Sequence, residues 1–262
     1  MTFWDHLDEL RKSLTYPVIV LVLLTLGAFV FLRDPLFDMV LAANSWDFVT
    51  YTLLPPVEHE SGTGTLVQLI NTELPAQVLM HMKVSFYVAL LVTIPYLLFK
   101  LYRFVMPALY DNERRYSGRV LLFSFLSFFL GLLVSYFIIF PVSLRFLVSF
   151  TVSEQVINMI SLTSYVNTLM LLSLLMGLCF ELPIISWILS IFGVLKPAIL
   201  KKYRKHAIVG IFIIAAIITP TTDIFTLVVV SLPIILLYEV SILISRVTVQ
   251  KKSDMAQLES SV

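Results

Sequence analysis

Long apolar runs, parted by short basic, polar or proline-bearing segments, organise this chain from end to end. Six of them predict membrane-spanning helices, at residues 14–32, 78–98, 120–142, 164–192, 206–219 and 224–245. About 20 apolar residues rising 1.5 Å each cross a hydrocarbon core of about 30 Å. The fifth run is short: roughly thirteen residues rise only about 20 Å. Either the bilayer thins there or the helix hides behind its neighbours. Pro220-Thr-Thr-Asp223 joins the fifth and sixth runs in a tight hairpin, and the fourth is long enough to lie tilted.

The polar intervals carry their own pattern. Thr2 with Asp5 fits a capping box, and Phe3, Leu7, Leu10 and Leu14 share one helical face. They predict an amphipathic helix lying at the membrane interface ahead of the first span. The interval 33–77 is acidic and aromatic, with Trp46, Phe48 and Tyr51 followed by Pro55-Pro56 and Ser61-Gly-Thr-Gly64. Its length and apolar content predict an ordered cap over the helices. Residues 247–262 are polar and predict a flexible tail. The expectation is therefore an all-α integral membrane protein, with residues 1–246 forming a single six-helix domain.

Composition supports the membrane assignment. Hydrophobic residues make up 59%, charged residues 13%, and the mean hydropathy is +0.94, whereas soluble domains run nearer a quarter charged. The net charge of +1 hides a segregation that sets orientation. Of 18 Lys and Arg, 15 fall on one side: Arg11, Lys12, Lys100, Arg103, Arg114, Arg115, Arg119, Lys196, Lys201, Lys202, Arg204, Lys205, Arg246, Lys251 and Lys252. Arg33 and Arg145 lie opposite, with Lys83 near the start of the second span. Both termini are thus expected in the cytoplasm. Asp5, Asp8 and Glu9 interrupt the N-terminus, and no cleavage signal follows the first run, which reads as a retained span. The single cysteine, Cys179, reads as a small buried hydrophobe, without disulfide or zinc chemistry.

Enzyme motifs are missing from the sequence: there is no HExxH, GxSxG or GxxxxGK[ST], and Gly62-Thr-Gly64 lacks the third glycine of a dinucleotide site. His6, His59, His81 and His206 are scattered, so no metal site, cofactor or nucleic-acid contact is implied. Any work must draw on a partner or on the membrane gradient. Glu9 and Glu113 are two carboxylates on the same membrane face, with Phe104 as an apolar neighbour and Pro107 ending or kinking a helix. Paired carboxylates suit a ligand with adjacent guanidinium groups, since each planar fork can bond bidentately. The plainer reading is a solvated loop with local ion pairs of little energetic weight.

Glu181 stands near the middle of the fourth run, two residues before Pro183. Ionised and facing lipid it would cost several kcal/mol. It must therefore face a groove, meet a polar partner or stay protonated; an ordinary polar contact between helices is the plainer reading. Pro183 has no N–H for the carbonyl of Cys179. Asp223 is placed to cap the sixth helix, Glu239 reads as structural, and Glu73 and Lys83 could pair near the outer surface. An alternative is a proton-coupled small-solute transporter with Glu181 as relay, but the internal repeat expected of one is not visible.

Several stretches, in order, resemble the TatC family, the multispanning subunit of the twin-arginine protein translocase. They are His6-Leu-Asp-Glu-Leu-Arg11, Asn71-Thr-Glu73 with Lys83, Phe104-Val-Met-Pro-Ala-Leu-Tyr-Asp-Asn-Glu-Arg-Arg115, Phe180-Glu-Leu-Pro183, Ile218-Thr-Pro-Thr-Thr-Asp223 and Pro233-Ile-Ile-Leu-Leu-Tyr-Glu239. Lys100 and Tyr102 depart from the pattern, standing where the family has glutamine and tryptophan. The resemblance implies six helices in a curved, glove-like concave wall within the bacterial inner membrane, and short fifth and sixth helices that thin the bilayer. It implies that Glu9 and Glu113, with Phe104 beside them, bind twin-arginine signal peptides of folded cargo. Leu10, Arg11, Pro107, Tyr110, Arg114, Arg115 and Asp223 are supporting motif positions. Glu181 would offer a polar contact to single-span TatA- and TatB-type partners, in a self-associating complex driven by the proton-motive force.

Overall fold

The computed structural model of the chain describes residues 3–53, 64–105, 117–150, 159–191, 193–219 and 223–260, with the backbone alone at 3–10, 12–14, 101–105, 117–121, 218 and 251–260. Helices dominate. In chain order they are α1 (Phe3–Phe31), α2 (Arg33–Ala42), α3 (Val49–Leu53), α4 (Ala76–Val105), α5 (Ser117–Val134), a π-helical turn (Ser135–Ile139), α6 (Phe140–Ser149), α7 (Leu162–Cys179), α8 (Leu182–Ile191), α9 (Pro197–Lys202), α10 (Arg204–Ile218) and α11 (Ile224–Ser260). Two short strands, β1 (Gln68–Ile70) and β2 (Met159–Ser161), pair in parallel, Gln68 opposite Met159 and Ile70 opposite Ser161. Three residues are too few to show an alternating pattern, and the sequence reading did not foresee this pair.

Among the described residues, four helical segments are long and apolar enough to cross a membrane: Ala76–Lys100, Leu122–Ser149, Leu162–Ile191 and Ile224–Gln250. A fifth counts if Thr15–Phe31 and Arg33–Ala42, bent by 90° at Leu32, form one span. The fifth apolar run of the sequence is a helix, α10, of 15 residues, which falls below the roughly 20 that a span requires.

Two boundaries differ from expectation. The N-terminal amphipathic segment is not a separate helix, because α1 runs unbroken from Phe3 to Phe31. No glycine or proline interrupts it before Pro17, so nothing ends the first turns. At the other end α11 continues to Ser260, where a flexible tail was expected after Arg246. Residues 247–260 contain neither glycine nor proline, and Lys, Gln, Met, Ala, Leu and Glu favour the helix.

The chain divides into two compact units. The first comprises Met1–Ser117 with Leu133–Leu174, the second Gly118–Leu132 with Leu175–Val262. In the first, α1 and α4 lie side by side, and Ala28, Met80, Val84, Ala89, Tyr165, Val166 and Leu172 are buried. Within the interval 33–77, the described residues 33–53 and 64–77 carry short helices, a strand and side-chain hydrogen bonds. Asn44 closes a backbone-like pair with Val67, its amide donating to the Val67 carbonyl at 3.0 Å and its carbonyl oxygen accepting from Val67 N–H at 3.1 Å. Tyr51 Oη donates to Ala43 O at 2.9 Å and Tyr165 Oη to Val40 O at 2.9 Å. Burial pushes the Tyr51 phenol above its ordinary pKa, with the Arg145 charge opposing. The π turn meets this region too: Phe48 stacks on Phe137, Tyr136 Oη donates to Met39 O at 2.6 Å, and the Thr50 hydroxyl donates to the Phe137 carbonyl.

In the second unit residues 124–131 of α5 pack on the α7–α8 junction, and α11 runs beside α8, α9 and α10. Ser186 Oγ donates to Ser241 O at 3.3 Å, and the Ser190 and Ser245 hydroxyls meet at 2.7 Å. Residues 186 and 190 and residues 241 and 245 are each one turn apart, so α8 and α11 run in the same direction with serines in register.

Candidate functional site

The first candidate lies on the α1–α4 pair. Phe29 stacks on His81 with ring centroids 4.4 Å apart, and Phe37 lies 6.0 Å from the same ring. Further along, Lys100 Nζ stands 5.7 Å from the Tyr16 ring and 5.5 Å from the Tyr96 ring. Residue numbers rise along α1 as they fall along α4, so the helices are antiparallel. Glu9 then sits on α1 about 10 Å beyond Tyr16, and Phe104 on α4 about 6 Å beyond Lys100, at 1.5 Å per residue. Both positions fall at the same end of the pair. Arg11 is exposed, and its carbonyl accepts the Thr15 hydroxyl at 2.8 Å. The side chains of Glu9, Leu10 and Phe104, and all of Pro107, Tyr110, Glu113, Arg114 and Arg115, lie outside what is described.

The second candidate surrounds Glu181. The long apolar run does not pass through as one helix: α7 stops at Cys179, Phe180 and Glu181 form a turn, and α8 starts at Leu182. Pro183 is the cause, since it cannot donate to the Cys179 carbonyl and its ring crowds the preceding turn. The break turns Glu181 into the helix interface, where it is 2% exposed. Its carbonyl starts α8 by accepting from Ile184 and Ile185 N–H at 3.0 and 2.9 Å. The Ser124 hydroxyl bridges the carboxyl, 2.8 Å from each oxygen. One helical turn on, Ser127 Oγ donates to the Phe180 carbonyl at 2.5 Å, occupying a backbone acceptor that the broken helix leaves over.

Two glycines allow this approach. A Cβ at Gly131 would lie 2.7 Å from Met176 O and 2.9 Å from Gly177 Cα, and one at Gly177 would lie 2.7 Å from the Phe128 ring. Ser124, Ser127 and Gly131 fall at i, i+3 and i+7, one stripe of an otherwise Phe- and Leu-rich helix. Small residues that let backbones approach are how membrane helices pack where no water drives them together. The sequence reading passed over this stripe, although the spacing of small residues was there to see.

The remaining expectations divide. Asp223 caps α11, its Oδ1 accepting from Thr226 N–H at 2.6 Å. Glu239 is an ion-pair residue, with Arg204 Nε 2.5 Å from Oε1. Glu73 and Lys83 form no ion pair, and the backbone N–H of Glu73 donates to Asn71 Oδ1 at 3.4 Å.

Comparison with known proteins identifies what the whole chain is similar to. Residues 5–233 match the family model described as Sec-independent protein translocase protein (TatC). A protein of that name from Blattabacterium is 33% identical over 261 residues, covering 96% of this chain and 97% of its own length. The Helicobacter pylori J99 protein is 35% identical over 241 residues, at 92% and 87% coverage. The crystal structure of the twin-arginine translocase receptor TatC superposes with a TM-score of 0.77 at 31% identity, over 93% of this chain and 99% of that one.

Proposed function

The chain belongs to the TatC family, and we propose that it is the core subunit and signal receptor of a Sec-independent twin-arginine translocase. It is a multi-pass membrane protein of mostly helical structure. In this reading six helices span the bacterial inner membrane as one domain, residues 1–246, curved into a glove-like wall. Both termini are cytoplasmic, and the segment 33–77 faces outward. Glu9 and Glu113 take the two arginines of a signal peptide. Phe104 closes the apolar side, and Leu10, Arg11, Pro107, Tyr110, Arg114 and Arg115 support the site. Glu181 meets a polar group on TatA- or TatB-type helices, Asp223 fixes the start of α11, and the proton-motive force drives export of the folded cargo.

One observation carries the receptor reading: the antiparallel α1–α4 pair sets Glu9 and Phe104 at the same helix end. A carboxylate there can hold a guanidinium by two parallel N–H···O bonds. Hydrogen bonds to charged groups contribute about 1.5–3 kcal/mol each, so each carboxylate is expected to strengthen binding roughly tenfold or more. The test is photo-crosslinking of a twin-arginine signal peptide to the full chain in membranes. Glu9→Ala with Glu113→Ala should abolish the crosslink, and a twin-lysine peptide, which lacks the fork, should bind at least tenfold more weakly. Undiminished crosslinking in the double variant would overturn the reading. Nothing among the described residues, and none of the relatives named above, favours the solute-transporter alternative.

A further inference from the structure

We infer that the basic segment Lys196–His206 binds the phosphate headgroups of anionic phospholipids, at a level deeper in the membrane than the end of α8. The inference goes beyond the receptor reading and does not depend on it. Between Glu181 and Asp223 the chain has no acidic residue, yet carries Lys196, Lys201, Lys202, Arg204 and Lys205. Arg204 pairs with Glu239. The four lysines are exposed and have no acidic partner among the described residues. Apolar side chains are exposed among them, Val194 at 68%, Ile199 at 43% and Tyr203 at 51%, and Lys202 Nζ lies 5.8 Å from the Tyr203 ring. Cations interleaved with apolar and amphipathic side chains fit the boundary between headgroups and acyl chains, where each stem stays dry and each charge meets a phosphate.

Helix α11 serves as a ruler for depth. Ser190, at the end of α8, meets Ser245. The chain then reverses at Gly193, whose φ of +72° a side chain would resist. It returns so far that the Leu200 carbonyl accepts Tyr238 Oη at 2.8 Å and Arg204 reaches Glu239. Tyr238 and Glu239 precede Ser245 by about two turns, so the lysines on α9 and at the start of α10 stand about 10 Å back along α11. Left in hydrocarbon, the three cations at that level would be costly. Headgroup phosphates drawn toward them supply the missing negative charge and the acceptor oxygens, and the membrane already holds them at high local concentration.

The test compares lipids retained by the purified full chain. The wild-type chain and K201Q/K202Q/K205Q are offered equal amounts of dioleoyl phosphatidylglycerol and phosphatidylcholine in mild detergent, and retained lipid is counted by native mass spectrometry. The wild-type chain should prefer phosphatidylglycerol, and the glutamine variant should lose that preference at least tenfold, as about fivefold per lysine implies. K201R/K202R/K205R should keep it, and so should K251Q/K252Q, which removes charge from the C-terminal part of α11. Equal retention by the glutamine variant, or equal loss in K251Q/K252Q, would overturn the inference. So would displacement of the lipid by millimolar inorganic phosphate, which would make free phosphate the ligand. None of these readouts involves a signal peptide, so failure here leaves the receptor reading standing, and the reverse holds as well.

Discussion

Two helix seams in this molecule are built on opposite principles. Where α5 meets the α7–α8 junction, glycines bring backbones together and small hydroxyls bond to a buried carboxyl and an orphaned carbonyl. Where α1 meets α4, the helices lie close along their length and aromatic side chains mark the contact: Phe29 on His81 at one level, Lys100 over Tyr16 at another. The first seam has no slack at Gly131, because the nearest obstacle to an added Cβ there is main chain. The second consists of side chains that can rotate and refill. Rigidity belongs around Glu181, where a polar group must be held in apolar surroundings, and adaptability suits the pair whose far end carries Glu9 and Phe104.

Glycine-to-alanine substitutions break the comparison most sharply. In an ordinary helix interior the change stabilises by about 0.5–1 kcal/mol. Gly131→Ala should reverse that sign and destabilise by about 3 kcal/mol, since its Cβ meets Met176 O and Gly177 Cα. Gly27→Ala, in α1, meets nothing within 4 Å and should be neutral or stabilising. Thermal unfolding of both variants in detergent measures the contrast, and similar shifts would show that the close approach at Gly131 carries no special cost. A smaller effect is expected at Ser124→Ala, which removes the hydroxyl bridging Glu181 and should cost about 1 kcal/mol. With Glu181→Leu already present, Ser124→Ala should cost almost nothing; additive losses in that double-mutant cycle would show that the pair is not coupled. The smallest is Lys100→Ala, where loss of the two ring contacts should cost about 0.5–1 kcal/mol, read as a minor drop in melting temperature.

Much of the fold is written in hydrophobic run length, because a bilayer imposes one length on every span. The helices around residues 78–98, 120–142 and 224–245 followed directly, and so did the cap at Asp223, where a carboxylate precedes a helix start. The break at Phe180–Glu181 was foreshadowed by Pro183, but its partner Ser124 is 57 positions away, and no local pattern announces a contact at that distance. The π turn at Ser135–Ile139 was invisible for a related reason: its residues, Ser-Tyr-Phe-Ile-Ile, continue an apolar run, and only the contacts of Thr50 and Tyr136 mark it. At the proposed receptor end Glu9 and Phe104 were legible as motif positions, and their common helix end became clear only from the ring contacts that fix the direction of α1 against α4.

The small parallel pairing of β1 with β2 has a consequence for how the chain is made. Its two strands are about ninety residues apart, with α4, α5, the π turn and α6 between them. At about 5–20 residues per second of synthesis, Gln68–Ile70 leaves the ribosome roughly 5–20 seconds before its mate exists. During that wait its ladder bonds have no partner, and the first unit cannot close until most of its helices are already in the bilayer.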